Sequence, residues 1–318
     1  MPTVNTVLGP VDTDDLGFVL SHEHVGTNAA GLRHTYPEFI DRNGIREQSI
    51  AAMSAVHADG VCRTIVDVST FDLGRDVNLI REVSEGSGMQ IIAATGNHVA
   101  VPRPFGDVPP DAIAELYVRE IEEGIEGTSI KAGIIKVASD RGGITPPQEV
   151  VLRAAARAQK STGVPISTHT WSPDRVGEQQ VRILEEEGVD LDKVYIGHSN
   201  DDTDMEYLLG LLNKGVWLGL DRYPGGLTPG TPDWEQRTEV ARKLMDAGFT
   251  NRIFLSHDYS VPKARYGAEV QEQRRRANPD GYNFIPRYVL PRLKALGASD
   301  ADIQQITVGN ARRFFAGA

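Results

Sequence analysis

Short apolar, β-branched runs recur along the chain at residues 17–24, 61–69, 90–95, 130–137, 164–169, 193–198, 215–220 and 252–258. Several are apolar throughout rather than alternating, as in Val216-Trp217-Leu218-Gly219-Leu220. That pattern belongs to parallel strands covered on both faces. Helical segments separate them. Thr145-Pro146-Pro147-Gln148 has the form of a capping box with proline at the first helical position, and Gly163 is placed to close that helix. Ser172-Pro173 and Thr231-Pro232 predict two further helix starts. Ser299 predicts the start of a last helix, over about 299–313, packing on the rest. Alternation of strand and helix implies parallel strands joined by right-handed crossovers.

No repeat, low-complexity tract or linker divides the chain, so 1–318 reads as a single domain of α/β class. Two architectures compete, a closed (β/α)8 TIM barrel and an open doubly wound sheet. Eight runs in 318 residues suit the barrel, which takes roughly 250 residues or more. The polar residues favour it too. His22, His24, His169 and His198 stand at or near the ends of strand runs, Asp258 ends another, and Lys136 stands one residue from the end of a further one. Barrel enzymes build their sites at those ends.

Each of these residues has a structural reading as well as a chemical one. In His22-Glu23-His24 the two imidazoles share one side of a strand and can reach one cation, while Glu23 points away. A lone His-x-His is also an ordinary hydrogen-bonding pair. Lys136 lies in the apolar run Ala132-Gly133-Ile134-Ile135-Lys136-Val137. It either pairs with a carboxylate or, as a neutral amine, takes up carbon dioxide to form an anionic carbamate that bridges two cations. His169 and His198 are either hydrogen-bonded strand ends or ligands converging at the barrel mouth. Asp258 is either a cap or a metal-binding carboxylate that takes a proton from water. His257, facing the other way, reads as support or packing.

The net charge of −11 and pI near 5.2 argue against a nucleic-acid or anionic membrane surface, leaving Arg274, Arg275 and Arg276 as a solvated cluster. The single cysteine, Cys62, is assigned to a buried strand. It permits no intrachain disulfide and fits a reducing compartment. With neither a secretory leader pattern nor a membrane-length apolar run, the expectation is a cytoplasmic protein.

Taken in order, the residues resemble the phosphotriesterase family of the amidohydrolase superfamily. The matching segments are Asn5-Thr6-Val7-Leu8-Gly9-Pro10-Val11, Leu20-Ser21-His22-Glu23-His24, Lys136-Val137-Ala138-Ser139-Asp140, Thr168-His169-Thr170, Gly197-His198-Ser199-Asn200-Asp201, Leu220-Asp221-Arg222-Tyr223, Leu255-Ser256-His257-Asp258-Tyr259 and Val308-Gly309-Asn310-Ala311-Arg312-Arg313-Phe314. Within the family the chain is most similar to the phosphotriesterase-like lactonases. The resemblance implies one divalent cation on His22, His24 and Asp258 and a second on His169 and His198, with carboxylated Lys136 and a hydroxide between them. Zinc comes first among the metals, with cobalt, iron or manganese as alternatives. It also implies a homodimer and a lactone or ester substrate, N-acyl homoserine lactones in particular, hence quenching of lactone signals, with weaker phosphotriester hydrolysis. Arg222 and Tyr223 are then substrate neighbours.

The loop from about 259 to 282, with Tyr259, Val261, Pro262, Tyr266 and Tyr282, reads as lining an acyl channel or as a partly helical loop covering the barrel end, and the two readings are compatible. One position departs from the family pattern. Two residues after the glycine ending the third strand, lactonases usually carry tyrosine and phosphotriesterases tryptophan. Thr95-Gly96-Asn97-His98 puts His98 there, either hydrogen-bonding the hydroxide or substrate carbonyl, or facing solvent. The rival readings are a phosphotriester or other carboxylic ester substrate on the same centre, a non-catalytic ligand-binding barrel, and a single-metal deaminase-type enzyme.

Overall fold

A computed structural model describes residues 1–58, 60–225, 230–261 and 268–316; at 268, 270, 271 and 274 it describes the backbone alone. An antiparallel hairpin, β1 (Thr3–Thr6) and β2 (Gly9–Asp12), precedes the main sheet. The sheet holds β3 (Val19–His24), β4 (Thr64–Asp67), β5 (Gln90–Gly96), β6 (Ile134–Ala138), β7 (Ile166–His169), β8 (Val194–Ile196), β9 (Trp217–Leu220) and β10 (Ile253–Leu255), each paired in parallel with its sequence neighbour. Each of the eight apolar runs overlaps one of these strands, β5 and β6 extending one residue past theirs.

The eighth strand closes the barrel by breaking. β10 pairs with β9, and the short β11 (Tyr259–Ser260) pairs with Glu23 and His24 of β3. Across the break, the His22 amide donates to Ser256 Oγ (2.9 Å) and the Asp258 amide donates to the His22 carbonyl (3.1 Å). Buried Glu23 locks the joint, accepting from Ser256 Oγ (2.7 Å), the His257 amide (2.9 Å) and the Tyr259 amide (2.9 Å). The architecture is a (β/α)8 TIM barrel.

Packing separates into two layers. Val19, Val66, Ile92, Ile134, Tyr195, Trp217 and Phe254 fill the barrel interior, and Phe314 and Phe315 of the last helix join them. The Trp217 and Phe254 rings lie 5.6 and 5.5 Å from Phe314. Ser299 caps the C-terminal helical run, accepting from the Asp302 amide (3.1 Å), and that run ends with Asn310–Phe315. The second, larger layer lies between the strands and the outer helices, among them Arg42–Ala58, Val77–Ser87 and Pro146–Thr162. Pro146–Thr162 starts as its sequence predicts: Gln148 returns its side-chain oxygen to the Thr145 amide (3.1 Å), and Gly163 closes it at φ 76°.

Two helix starts differ from expectation. Ser172-Pro173 opens only a 3-10 turn, Ser172–Asp174, and the helix proper is Val176–Glu186. The cap after Thr231-Pro232 is Asp233, which accepts from the Gln236 amide (2.9 Å), so that helix is Trp234–Leu244. An aspartate one residue on offers the better acceptor. Cys62 is buried as expected but precedes its strand, which begins at Thr64. Among the described residues no helix is long and apolar enough to cross a membrane.

Three backbone irregularities aim side chains at the mouth. A register shift between Leu20 and Glu23 in β3 sends both Ser21 and His22 inward. His198 and Asp258 adopt left-handed backbone, at φ 58° and 52°. Such conformations are costly for non-glycine residues and persist where surrounding contacts enforce them. At the end of β5, Gly96 has φ +114°, and a Cβ there would stand 1.9 Å from the Lys136 carbonyl oxygen. We expect Gly96→Ala to lower stability by more than ~3 kcal/mol in urea titration, combining backbone strain with a backbone clash. A variant within 1 kcal/mol of the parent, roughly the range of an ordinary surface change, would show that β5 and β6 are not held this closely.

Candidate metal centre

The residues singled out at strand ends converge. His22, His24, Lys136, His169, His198, Asp258, Arg222 and His98 all line one cavity of about 410 Å³, together with Tyr223 and Tyr259. Lys136 and the four strand-end histidines are buried, and the Asp258 side chain is 25% exposed.

Asp221 organises the base of the centre. It closes β9 with no exposed surface. Its Oδ2 accepts from His22 Nδ1 (2.7 Å) and the Tyr195 hydroxyl (2.7 Å). Its Oδ1 accepts from the His198 amide (2.8 Å) and His198 Nδ1 (2.9 Å). Burial alone would raise its pKa, but the charges and hydrogen bonds of His198 and His22 hold it well below the usual carboxylate range. An ionised Asp221 fixes the Nδ1–H tautomer of both imidazoles and leaves each Nε2 lone pair facing the cavity. Tyr195 reaches Asp221 because β9 carries glycine opposite it; a Cβ at Gly219 would lie 2.3 Å from the Tyr195 ring.

Two donor groups result. His22 Nε2 and His24 Nε2 stand 3.6 and 3.2 Å from Asp258 Oδ1, and His24 Nδ1 is held by Ser69 Oγ (2.8 Å). Bonds of ~2.1 Å to a tetrahedral cation put neighbouring ligand atoms ~3.4 Å apart, so these spacings fit one metal ion. On the other side His198 Nε2 lies 2.9 Å from His169 Nδ1, and His98 Nε2 lies 3.3 Å from the same atom. His169 turns its Nε2, buried and without a hydrogen bond, towards Asp140 Oδ2 at 3.6 Å. Lys136 Nζ stands 3.4 Å from His22 Nε2. Burial pushes the Lys136 amine down to about 8, with Asp221 and Asp258 partly opposing. A set of bare imidazole nitrogens beside one carboxylate, with so few acids to pair them, suits divalent cations.

Arg222 does not reach freely into the cavity. Its Nε donates to Asp258 Oδ2 (3.2 Å) and its Nη1 to buried Asp201 (2.5 Å), which also pairs with Arg237 (2.9 Å). His98 faces the centre rather than solvent. Tyr223 is buried in the wall. Tyr266 and Pro262 lie outside the described residues.

The expectation that Tyr282 lines an acyl channel is corrected. It is buried, donates its hydroxyl to the His24 carbonyl (3.1 Å) and packs edge-on against Tyr259. The loop also contains a helix, Ala268–Ala277, where Arg275 and Arg276 pair with Glu272 on an exposed face. His257 is supporting, with Nδ1 on Glu23 (2.7 Å) and Nε2 accepting from the Ile285 amide (3.2 Å). Sequence reasoning did not single out Asp221, Asp201 or Ser69 as site residues. Asp221 left one readable signal, an acid directly closing an apolar run.

Known proteins are similar to this chain from end to end. The Phosphotriesterase family profile matches residues 2–315. A phosphotriesterase homology protein of Mycobacterium tuberculosis is 38% identical, covering 99% of this chain and 98% of its own. An aryldialkylphosphatase of Saccharolobus solfataricus is 35% identical over 96% of each. The solved structure of the phosphotriesterase from Mycobacterium tuberculosis superposes with a TM-score of 0.92 at 37% identity, covering 100% of both chains. With fold and sequence agreeing from end to end, the chain belongs to the phosphotriesterase family of metal-dependent hydrolases.

Proposed function

We propose that this enzyme opens lactones, N-acyl homoserine lactones or other γ- and δ-lactones, by adding water to the ring carbonyl, with weaker hydrolysis of phosphotriesters. The observation that carries the reading is that one cavity of about 410 Å³ rests directly on both donor groups, with Asp258 the carboxylate that belongs to the ligand set and also faces the cavity. That volume suits a small ring with a modest acyl tail. In this reading His22, His24 and Asp258 would hold one cation, His169 and His198 a second, and Lys136, as a carbamate, would be a ligand shared by both. Zinc is the first choice of metal. When bound, such cations lower the pKa of water and polarise a carbonyl or phosphoryl oxygen.

The chain's own residues do the rest. Asp258 lies well below the usual carboxylate range: burial opposes this, but the His24 hydrogen bond and neighbouring His22, His198 and Arg222 outweigh it. It is therefore ionised at neutral pH and able to accept the proton of the attacking water. As the ring C–O bond breaks, the same proton passes to the ring oxygen, yielding a hydroxyl end and a carboxylic acid end, and the water's second proton leaves the acid for solvent at neutral pH. Arg222 fixes Asp258 on one side while Asp201 anchors Arg222 on the other. Tyr223 and Tyr259 contribute walls that shield the ring. Phosphotriester hydrolysis needs the same water and proton acceptor, and the 35% identical aryldialkylphosphatase supports it as a side activity.

The test is kcat/KM on one preparation for an N-acyl homoserine lactone, a simple δ-lactone and an aryl dialkyl phosphate. Either lactone is expected to exceed the phosphate. A phosphate value above both lactones would overturn the assignment.

A further inference from the structure

Each strand-end imidazole turns one nitrogen to the cavity and needs a partner to hold the other. Asp221 holds His22 and His198, and Ser69 holds His24. His169 is the fourth. Its Nδ1 faces the cavity, 2.9 Å from His198 Nε2 and 3.3 Å from His98 Nε2. Its Nε2 is buried without a hydrogen bond, and Asp140 Oδ2 stands 3.6 Å from it.

A neutral imidazole carries one ring proton. His198 donates its own from Nδ1 to Asp221, which leaves a lone pair on its Nε2. When His169 also gives its Nδ1 lone pair to a cation, its proton is on Nε2, and the facing Asp140 oxygen is an acceptor opposite a donor. Closing the pair by about half an ångström brings it to hydrogen-bond length. The Asp140 side chain, 43% exposed, has room to turn that far. The loop that carries Asp140 is tied to the one that carries His169. The Ser139 amide donates to the His169 carbonyl (3.1 Å), and the Gly142 amide donates to Asp174 Oδ2 (2.9 Å). The Arg141 guanidinium lies 4.2 Å from the centre of the Trp171 ring. The Arg141 amide holds the other Asp140 oxygen, Oδ1, at 2.8 Å. Together these contacts keep the carboxylate beside the imidazole.

We propose that Asp140 is the positioning residue of His169: its carboxylate accepts from Nε2–H and so keeps the Nδ1 lone pair directed at the cation shared with His198. A carboxylate in that place also makes the imidazole a stronger donor. The assignment rests on the two-cation reading above and adds to it the partner that orients His169.

The test titrates metal-stripped wild type, Asp140→Asn and Asp140→Ala with Co²⁺, following bound metal after equilibrium dialysis and the visible absorption of each equivalent. Asparagine keeps the size of the side chain and an acceptor for the Arg141 amide, but turns an NH₂ group towards His169 Nε2. Alanine removes both oxygens. Thermal melting confirms folding of each. Wild type is expected to take two equivalents. In both variants the second is expected to bind ~10-fold more weakly, the lower end of the cost of losing a partner that orients a ligand, because the carboxylate is partly exposed. Its absorption is expected to change, while the first equivalent keeps its affinity and spectrum. Two equivalents in wild type, with wild-type affinity and spectrum in either folded variant, would overturn the role of Asp140 alone; a loss confined to alanine would assign the residue to holding its loop. A wild type that accepts only one equivalent at saturation would overturn the two-cation reading, and this assignment with it.

Discussion

Lys136→Ala is expected to remove metal and activity together, with kcat/KM for lactone falling at least ~10³-fold, equivalent to ~4 kcal/mol of transition-state stabilisation. The reason is electrostatic. Lys136 is 1% exposed, and its Nζ lies 3.4 Å from the His22 nitrogen offered to a cation. An ammonium there would repel any divalent ion. Burial already pushes this amine down to about 8, so a neutral fraction is available to react with carbon dioxide. The product would exchange a cation for an anion with two oxygens, beside the His22 nitrogen. Alanine supplies neither charge nor reach. Metal analysis and lactone turnover on one sample, with a thermal melt to confirm folding, check this. Full metal loading with full activity in the variant would refute the carbamate.

Asp221→Asn should weaken metal binding ~10–100-fold, the usual cost of losing a partner that orients ligands. The substitution keeps the shape of the side chain but replaces one acceptor oxygen with an NH₂ group. Asp221 now accepts from both His22 Nδ1 and His198 Nδ1, as well as from Tyr195 and the His198 amide. Asparagine can accept from only one of the imidazoles. The other must turn its Nδ1 into an acceptor, which protonates its Nε2 and blocks the metal-facing lone pair. Because the two histidines serve different donor groups, one carboxylate couples them. Competition with a chelator measures the affinities, and wild-type affinity for both equivalents would contradict this role for Asp221.

Much of the fold is legible in the sequence. Strands such as Trp217–Leu220 are covered on both faces, so their apolar runs stand out. The convergence of the candidate ligands on one cavity was legible because a barrel uses the ends of its strands, which turns residue order into proximity in space. What the pattern could not carry was pairing across the barrel. The His22–Asp221 contact joins residues 199 apart in sequence, and the Glu23–Ser256 contact joins residues 233 apart. The β3 register shift and the left-handed backbone at His198 and Asp258 follow from those contacts rather than from local propensity. The split of the eighth strand is of the same kind, since its two halves pair with different neighbours. Tyr282 misled for a related reason. An aromatic residue in a long loop suggests a channel wall, yet here its hydroxyl serves the His24 carbonyl from a buried position.

The account stands on two cations held between strands that lie far apart in sequence. Metal content per chain, determined on wild-type protein reconstituted with zinc in bicarbonate buffer and dialysed free of excess, tests it most directly. Two ions per chain are predicted. A value settling at one, with the protein fully active, would contradict the paired centre and leave a single-metal hydrolase in its place.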